Sequence, residues 1–176
     1  MFYRLFFMDR KDRYAKLLPS GASTHLDTAS PGIRYSEEPI RIYCASGCMM
    51  SYNRKVLNEY TFDESYDGYS HGEDVDFSHR VSKKYKIYFT PHAKVYHNQP
   101  MSKKVWYGTE DFGKSKIHAQ MNLFRKHRAS NPLNYLALLW FWLGILIWFG
   151  LIDRNKIALR GALGGIRNEL LRAGKD

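Results

Sequence analysis

The sequence predicts an α/β domain followed by a membrane-embedded helix near the C-terminus. Two observations lead to this fold class. Between residues 40 and 97, apolar β-prone segments alternate with segments of helical character, which is the order typical of an α/β sandwich. Between Leu133 and Ile152 the chain carries no charged residue. A chain of 176 residues is long enough for one core-bearing domain of this kind and little more.

Residues 1–39 are expected to form an irregular N-terminal segment, and ordered structure is expected from Ile40. The segment IRIYCASGCMMSY is apolar and β-prone with a small Ser46-Gly47 step, which predicts a strand, a tight bend and a second short strand. The next segment, NRKVLNEY, predicts a short helix capped by Asn53, with Val56 and Leu57 facing inward.

Further helices and strands are expected after the loop TFDESYDGYSHG. The segment DVDFSHRVSKKY predicts a helix that Asp74 opens. KIYFTP predicts a strand that Pro91 ends, and AKVYH predicts another strand that ends on His97. A helix over residues 111–128 is then expected to lead toward the membrane segment. Residues 40–130 are therefore expected to form the α/β domain.

The uncharged run, residues 133–152, is predicted to be a membrane helix. At a rise of about 1.5 Å per residue, twenty residues cover roughly 30 Å, the thickness of a bilayer's hydrocarbon core. The net charge of +10 is concentrated on its flanks, with seven basic and two acidic residues over 101–132 and six and three over 153–176. This pattern indicates an anionic membrane surface as partner, and no nucleic acid. A buried core helix is the alternative for a run of this kind.

The orientation of this helix is open from the sequence, because both flanks are basic. The N-terminal flank is the more basic, so the positive-inside rule places the globular part in the cytoplasm. An in-plane helix, with both ends on one side of the membrane, is the alternative. Residues 153–176 predict a basic amphipathic tail at the membrane surface, weakened by interruptions at Gly161 and Gly164-Gly165.

The stretch SHGEDVDFSHR concentrates three carboxylates, Glu73, Asp74 and Asp76, within four positions. Acidic residues are common in the first turn of a helix, where they stabilise the helix dipole. A positioned carboxylate is also what general base catalysis requires. The stretch alone is compatible with both interpretations, so its surroundings have to decide.

Those surroundings resemble the C-terminal half of the family 2 glycosyltransferases. The order is a small-residue step in ASGCMMSYNRKVL, then FDE, GEDVDFSHRV and YKIYFTPHAKVYH, over about residues 40–172. The family consists of nucleotide-sugar enzymes of the GT-A fold, and its rhamnosyltransferase-like branch is the most similar. HAQMNLFRKHR resembles the helix that follows the catalytic region, although Met121-Asn122 stands where the family commonly has Arg-Asn.

The resemblance implies site residues. Glu73 and Asp74 match the family's ED motif, in which the Asp is the usual catalytic base of inverting members. His97 matches a histidine that in several members ligates the Mn or Mg ion holding the diphosphate. Gly47, Asp76 and Arg80 are expected to bind substrate. Gly47 matches a small residue at the acceptor-site floor, Asp76 would position the acceptor or brace the loop, and Arg80 would pair with a carboxylate.

The chain lacks counterparts of the family's first half, with its nucleotide-contacting loop and DxD metal motif. We therefore expect an acceptor-side half with a membrane anchor, inactive alone. The complete enzyme would transfer sugar from a nucleotide-diphosphate donor to a glycolipid or polysaccharide acceptor, with a divalent cation as cofactor. Two non-catalytic alternatives remain: a membrane-tethered partner of a separate nucleotide-binding chain, and a basic module that binds membrane surfaces.

Overall fold

The computed structural model describes residues 2–6, 15–24, 38–66, 72–96 and 109–173. The chain divides into two compact units. The first comprises Met1–Leu18 and Ala22–His97, and the second comprises Pro19–Gly21 and Asn98–Asp176. The described part combines helices with a small sheet and one long apolar helix.

The first unit contains three helices and a two-stranded antiparallel sheet among its described residues. Helix α1 is Phe2–Phe6, strand β1 is Ile40–Ile42, helix α2 is Arg54–Glu59, helix α3 is Glu73–Ser82 and strand β2 is Ile87–Phe89. Strands β1 and β2 pair with Ile40 opposite Phe89 and Ile42 opposite Ile87.

Two of the predicted strands are wrong in the described residues. After the Ser46-Gly47 step the chain forms a short 3₁₀ turn, Gly47–Met49, instead of a second strand. Residues 93–96 of the other predicted strand are irregular, and the Tyr96 side chain is 92% exposed. β-prone residues form a strand only where a neighbouring strand satisfies their backbone groups, and the described residues offer none to these two segments.

The core of the first unit lies between α2 and α3. Phe77 and Val81 are fully buried against Val56, with tyrosines and Ile87 packed around them. Asn53 caps α2 as predicted, because its side chain accepts a 2.9 Å hydrogen bond from the Lys55 main-chain N–H. The prediction that Leu57 faces inward is wrong, since it is half exposed. Adjacent residues on a helix point about 100° apart, so a helix this short buries one of the two.

Part of the segment expected to be irregular is also buried and hydrogen-bonded. Ala15, Leu17 and Leu18 are buried. The carbonyl of Ala15 accepts hydrogen bonds from the main-chain N–H groups of Tyr43 and Cys44, at 2.9 and 2.8 Å. The chain just before residue 19 is therefore attached to the segment that follows β1.

The second unit is built from three helices. Helix α4 is Glu110–His127, within one residue of its predicted limits at both ends. Helix α5 is Leu133–Ile147, and it continues into a π-helical turn, Trp148–Ile152. Helix α6 is Lys156–Ala173.

Helices α4 and α6 run side by side in the same direction, and glycines line their contact. A Cβ on Gly113, near the start of α4, would lie 2.6 Å from the Ala158 carbonyl oxygen near the start of α6. A Cβ on Gly161 would collide with the backbone of Glu110, and one on Gly165 would lie 3.0 Å from Ile117 Cβ. Two of the glycines that interrupt the predicted tail helix, Gly161 and Gly165, are therefore positions where the two helices approach closely.

A charged cluster joins the C-terminal parts of α4 and α6. The Glu169 carboxylate is 3% exposed and pairs with Arg125 at 2.6 Å and with His118 Nδ1 at 2.7 Å. Arg172 lies 3.4 Å from the same carboxylate. A buried carboxylate requires partners of this kind, so α6 is held to α4 by close packing at one end and by charge at the other.

Candidate functional site

The predicted acidic residues meet the small-residue step where the 3₁₀ turn lies against the start of α3. Gly72, in the left-handed region at φ 92°, turns the chain into the helix. The Gly47 main-chain N–H then donates a 2.7 Å hydrogen bond to Asp74 Oδ2, and the Val75 N–H donates a 2.8 Å bond to Oδ1. Two backbone donors on one carboxylate suit an anion at a helix N-terminus.

Gly47 leaves space beside this carboxylate. A Cβ at position 47 would lie 3.3 Å from Asp74 Cβ and 3.5 Å from Oδ2. The backbone of Gly47 has no positive φ, so proximity to Asp74, not backbone strain, is what a side chain here would meet. Asp74 and Gly47, to which the resemblance assigns the roles of base and acceptor-site floor, are thus in direct contact.

Ser78 supports the same junction and was not found by sequence reasoning. It is fully buried, its hydroxyl donates to the Asp74 carbonyl at 2.6 Å, and it accepts a 2.9 Å bond from the Ala45 N–H. Residues 74 and 78 lie on one helix face, and that i, i+4 spacing is the only signal the sequence offered. Residues 45–47 are therefore fixed to α3 at two points.

Glu73 occupies the first position of α3, next to Asp74. Its Oε2 atom is buried and has no hydrogen-bond partner. Burial raises the pKa of the Glu73 carboxyl, and the neighbouring negative charge of Asp74 acts in the same direction. The two adjacent carboxyls thus differ in environment: Asp74 accepts two main-chain hydrogen bonds, whereas Glu73 Oε2 is buried without a hydrogen-bond partner.

Asp76 and Arg80 do not join Glu73 and Asp74 at the turn. Asp76 is fully buried and accepts a 2.9 Å hydrogen bond from Arg80 Nε, which confirms that Arg80 pairs with a carboxylate. Arg80 also donates to the carbonyl of Thr61 at 2.8 Å. The pair joins α3 to the loop before it, so the described contacts of both residues are structural.

The loop that contains FDE packs on the same helix. The Phe62 ring stacks on Phe77, with centroids 4.3 Å apart and planes 11° apart. Asp63 accepts a 2.8 Å hydrogen bond from the Ser65 N–H, which forms a local turn. These contacts position the loop against α3.

Tyr52 packs against the core of the first unit. Its ring packs edge-on against Phe77, with centroids 5.1 Å apart. Burial raises the pKa of Tyr52 to about 12, and the negative charge of Asp74 acts in the same direction. The phenol is therefore neutral at neutral pH, and its oxygen is buried.

The expected cation ligand, His97, lies outside the described residues. Within the ranges that the structure describes, no three His, Cys, Asp or Glu side chains come together. Glu73 and Asp74 supply carboxylate oxygens, which are ligands that Mg²⁺ and Mn²⁺ accept, but two adjacent carboxylates alone do not form a complete site. The cation remains a prediction.

Comparisons with protein-family models, with curated proteins and with solved structures find no match to this chain.

Proposed function

We propose that this chain is the acceptor-side half of a membrane-associated family 2 glycosyltransferase of the GT-A type. The complete enzyme would transfer a sugar from a nucleotide-diphosphate donor to a glycolipid or polysaccharide acceptor. The globular part would face the cytoplasm, because the N-terminal flank of the apolar run is the more basic one.

The contact between Gly47 and Asp74 carries this proposal. An acceptor-side transferase site needs a carboxylate of fixed orientation beside a surface free of side chains. The 2.7 Å bond from the Gly47 N–H fixes Asp74, and the missing side chain at position 47 keeps one side of it open. The motif order in the sequence supplies the reaction class.

In the proposed reaction Asp74 is the base. The acceptor hydroxyl gives its proton to Asp74 as its oxygen forms a bond to the anomeric carbon of the donor sugar. The bond from that carbon to the diphosphate oxygen breaks, and the nucleoside diphosphate leaves with the electron pair. Glu73, beside the base in the first turn of α3, would position the acceptor. A bound divalent cation, held with the help of His97, would offset charge on the leaving diphosphate.

The test uses the native host, which supplies any donor-binding half. The gene is deleted and restored as wild type, as Asp74→Asn or as Asp111→Asn, and membranes are given a panel of labelled nucleotide sugars. Label should enter the lipid or polysaccharide fraction with the wild type and with Asp111→Asn, whose carboxylate is exposed at the start of α4. Asp74→Asn should lower transfer at least a hundredfold, a typical contribution of a general base.

Wild-type transfer by the Asp74→Asn protein, at equal abundance in the membrane, would overturn the assignment. Co-purification with a nucleotide-binding chain, together with indifference to Asp74, would point instead to a non-catalytic partner of that chain.

A membrane-surface module without sugar chemistry is the second candidate. The observation that favours it is the apolar helix from Leu133 to Ile152, which has a mean hydropathy of 2.2 and is only 22% buried within the chain. A core helix would be mostly covered. Host phenotypes that depend on this helix but not on Asp74 or Glu73 would support the module.

A further inference from the structure

Helix α5 lies along α4 in the opposite direction. The Trp142 indole N–H donates a 3.0 Å hydrogen bond to Gln120 Oε1 in a buried contact. One turn further along α4, the ring of Phe124 packs edge-on against Tyr135, with centroids 4.9 Å apart. Since α5 runs from 135 to 142 as α4 runs from 124 back to 120, the two helices are antiparallel neighbours.

Helix α6 turns back from the end of the apolar run and packs beside α4. The chain turns at Arg154, whose φ of 52° lies in the left-handed region. A Cβ on Gly150 would lie 3.7 Å from Leu159 Cδ2, so the start of α6 lies against the end of the apolar run. From there α6 runs beside α4 to the cluster around Glu169 and Arg125.

This packing conflicts with an apolar helix that crosses the bilayer alone. Helices α4 and α6 each have 18 residues, about 27 Å, so both would lie at membrane depth beside a spanning α5. Exposed charged residues occur on both: Glu110, Asp111, Lys116, Arg125 and Lys126 on α4, and Lys156, Arg160, Arg167 and Arg172 on α6. Each charge near the bilayer centre costs about 2.5–3.5 kcal/mol on insertion scales. A spanning α5 would therefore have to separate from α4.

One face of α5 is nevertheless uncovered. Leu138, Trp142 and Ile145 form its buried face, at the i, i+4, i+7 spacing of a helix. Exposed apolar residues occupy other positions of this run and of α6: Leu133, Leu136, Leu139, Trp140, Leu143, Leu151, Ile152, Leu163 and Leu170. An apolar surface of this extent marks a partner or a membrane.

The charges around this surface indicate which partner covers it. Arg125, Lys126 and Arg128 precede the apolar run, and Arg154, Lys156 and Arg160 follow it. The acidic residues around this surface are Asp153, in the turn, Glu110 and Asp111, at the start of α4, and Glu169, which is already paired with Arg125 and His118. Glu110 is itself paired with Lys114. An apolar face with basic residues at both ends complements an anionic lipid surface.

We propose that residues 133–152 lie in the plane of an anionic membrane's interface, with the uncovered face in the acyl boundary and both ends on one side. The unit of α4, α5 and α6 thus binds one leaflet without crossing it. This inference rests on the packing of the second unit and not on the sugar chemistry.

The test is one-sided thiol labelling. Cys48 is exposed and is replaced by Ser, whereas Cys44 is buried. Single cysteines are placed at Asn131 and at Arg154, at the two ends of the apolar run, in the full chain in sealed vesicles of native membrane. A membrane-impermeant maleimide should label both positions from the same side, and the Cys48→Ser background should remain unlabelled. Labelling from opposite sides would overturn the proposal.

A second experiment tests whether an anionic membrane is what covers the apolar face. The chain is incubated with vesicles of phosphatidylcholine alone or with 30% phosphatidylglycerol, and co-flotation is measured. Binding should be at least tenfold stronger with the anionic lipid, and Leu136→Glu should lower it at least tenfold. Leu57→Glu, at an exposed leucine of the first unit, should change binding less than twofold. Equal binding to both vesicle types, or equal effects of both variants, would contradict an anionic membrane as the occupant. Neither the labelling pattern nor vesicle binding depends on sugar transfer, so the two proposals can fail separately.

Discussion

The main-chain N–H of Gly47 donates a 2.7 Å hydrogen bond to Asp74 Oδ2, across a separation of 27 residues. Through this bond a 3₁₀ turn and the first turn of α3 share one carboxylate. The buried Ser78 hydroxyl holds the same two segments together, so the junction should be sensitive to small changes.

Ser78→Ala should destabilise the protein by about 1–3 kcal/mol, because it removes the acceptor for the Ala45 N–H in a buried site. Ser82→Ala is the matched control: Ser82 is also buried on α3, but its hydroxyl donates only to the His79 carbonyl of its own helix. Urea denaturation followed by circular dichroism should show the larger loss for Ser78→Ala. Equal losses would mean that Ser78 does not fix the 45–47 segment.

Glu73→Gln should change the pH dependence of stability. Burial raises the folded-state pKa of Glu73 above its ordinary value of 4.5, so the folded protein retains a proton that the unfolded chain releases. Wild-type stability should therefore fall as the pH rises from 4.5 through the raised pKa. Glutamine does not ionise, so the stability of Glu73→Gln relative to wild type should increase over that window.

Glu59→Gln is a control whose stability relative to wild type should change with pH in the opposite direction. The hydrogen bond from Lys84, and then that from Tyr85, lower the pKa of Glu59, so its ionised form stabilises the folded state above the unfolded pKa. Relative to wild type, Glu59→Gln should be least stable near neutral pH and recover as the pH falls. Urea midpoints between pH 4 and 7 measure both differences, and parallel curves for the two variants would contradict the assigned environments.

Replacing Asp76 and replacing Arg80 should destabilise the protein by different amounts. Asp76 is fully buried, whereas the Arg80 side chain is 28% exposed and can be hydrated. Arg80→Met leaves a buried carboxylate without its cation and should cost about 3 kcal/mol, whereas Asp76→Asn should cost about 1–2 kcal/mol. Urea denaturation of both variants checks the order. A larger loss of stability for Asp76→Asn than for Arg80→Met would contradict the prediction that the buried, uncompensated charge is that of Asp76.

Gly161→Ala should destabilise the second unit because its Cβ would meet the Glu110 backbone at the contact between α4 and α6. Overpacking of this kind costs about 1–3 kcal/mol. Gly164→Ala, three residues along the same helix, would place its Cβ 3.5 Å from Lys114 Cε, an ordinary contact. That variant should gain up to about 1 kcal/mol from helix propensity. Thermal unfolding in lipid vesicles followed by circular dichroism should separate the two, and equal stability of both variants would exclude close backbone packing.

Local features were predictable from the sequence. The Asn53 cap, the limits of α4 and the long apolar helix were predicted because each depends on residues within a few positions of one another. Strand predictions failed at residues 48–52 and 93–96, because a strand depends on a partner that a local pattern does not contain.

At the candidate site, the sequence alone determined which residues could carry acid–base chemistry, since Glu73 and Asp74 are recognisable by type and order. Only the tertiary structure decided that Asp74 meets Gly47, that Asp76 turns inward to Arg80, and that Ser78 joins the site. It also decided that the glycines of α6 are contact positions and not interruptions. These relationships join residues distant in the chain, and burial and backbone approach between such residues are set by packing, which no local pattern of residues encodes.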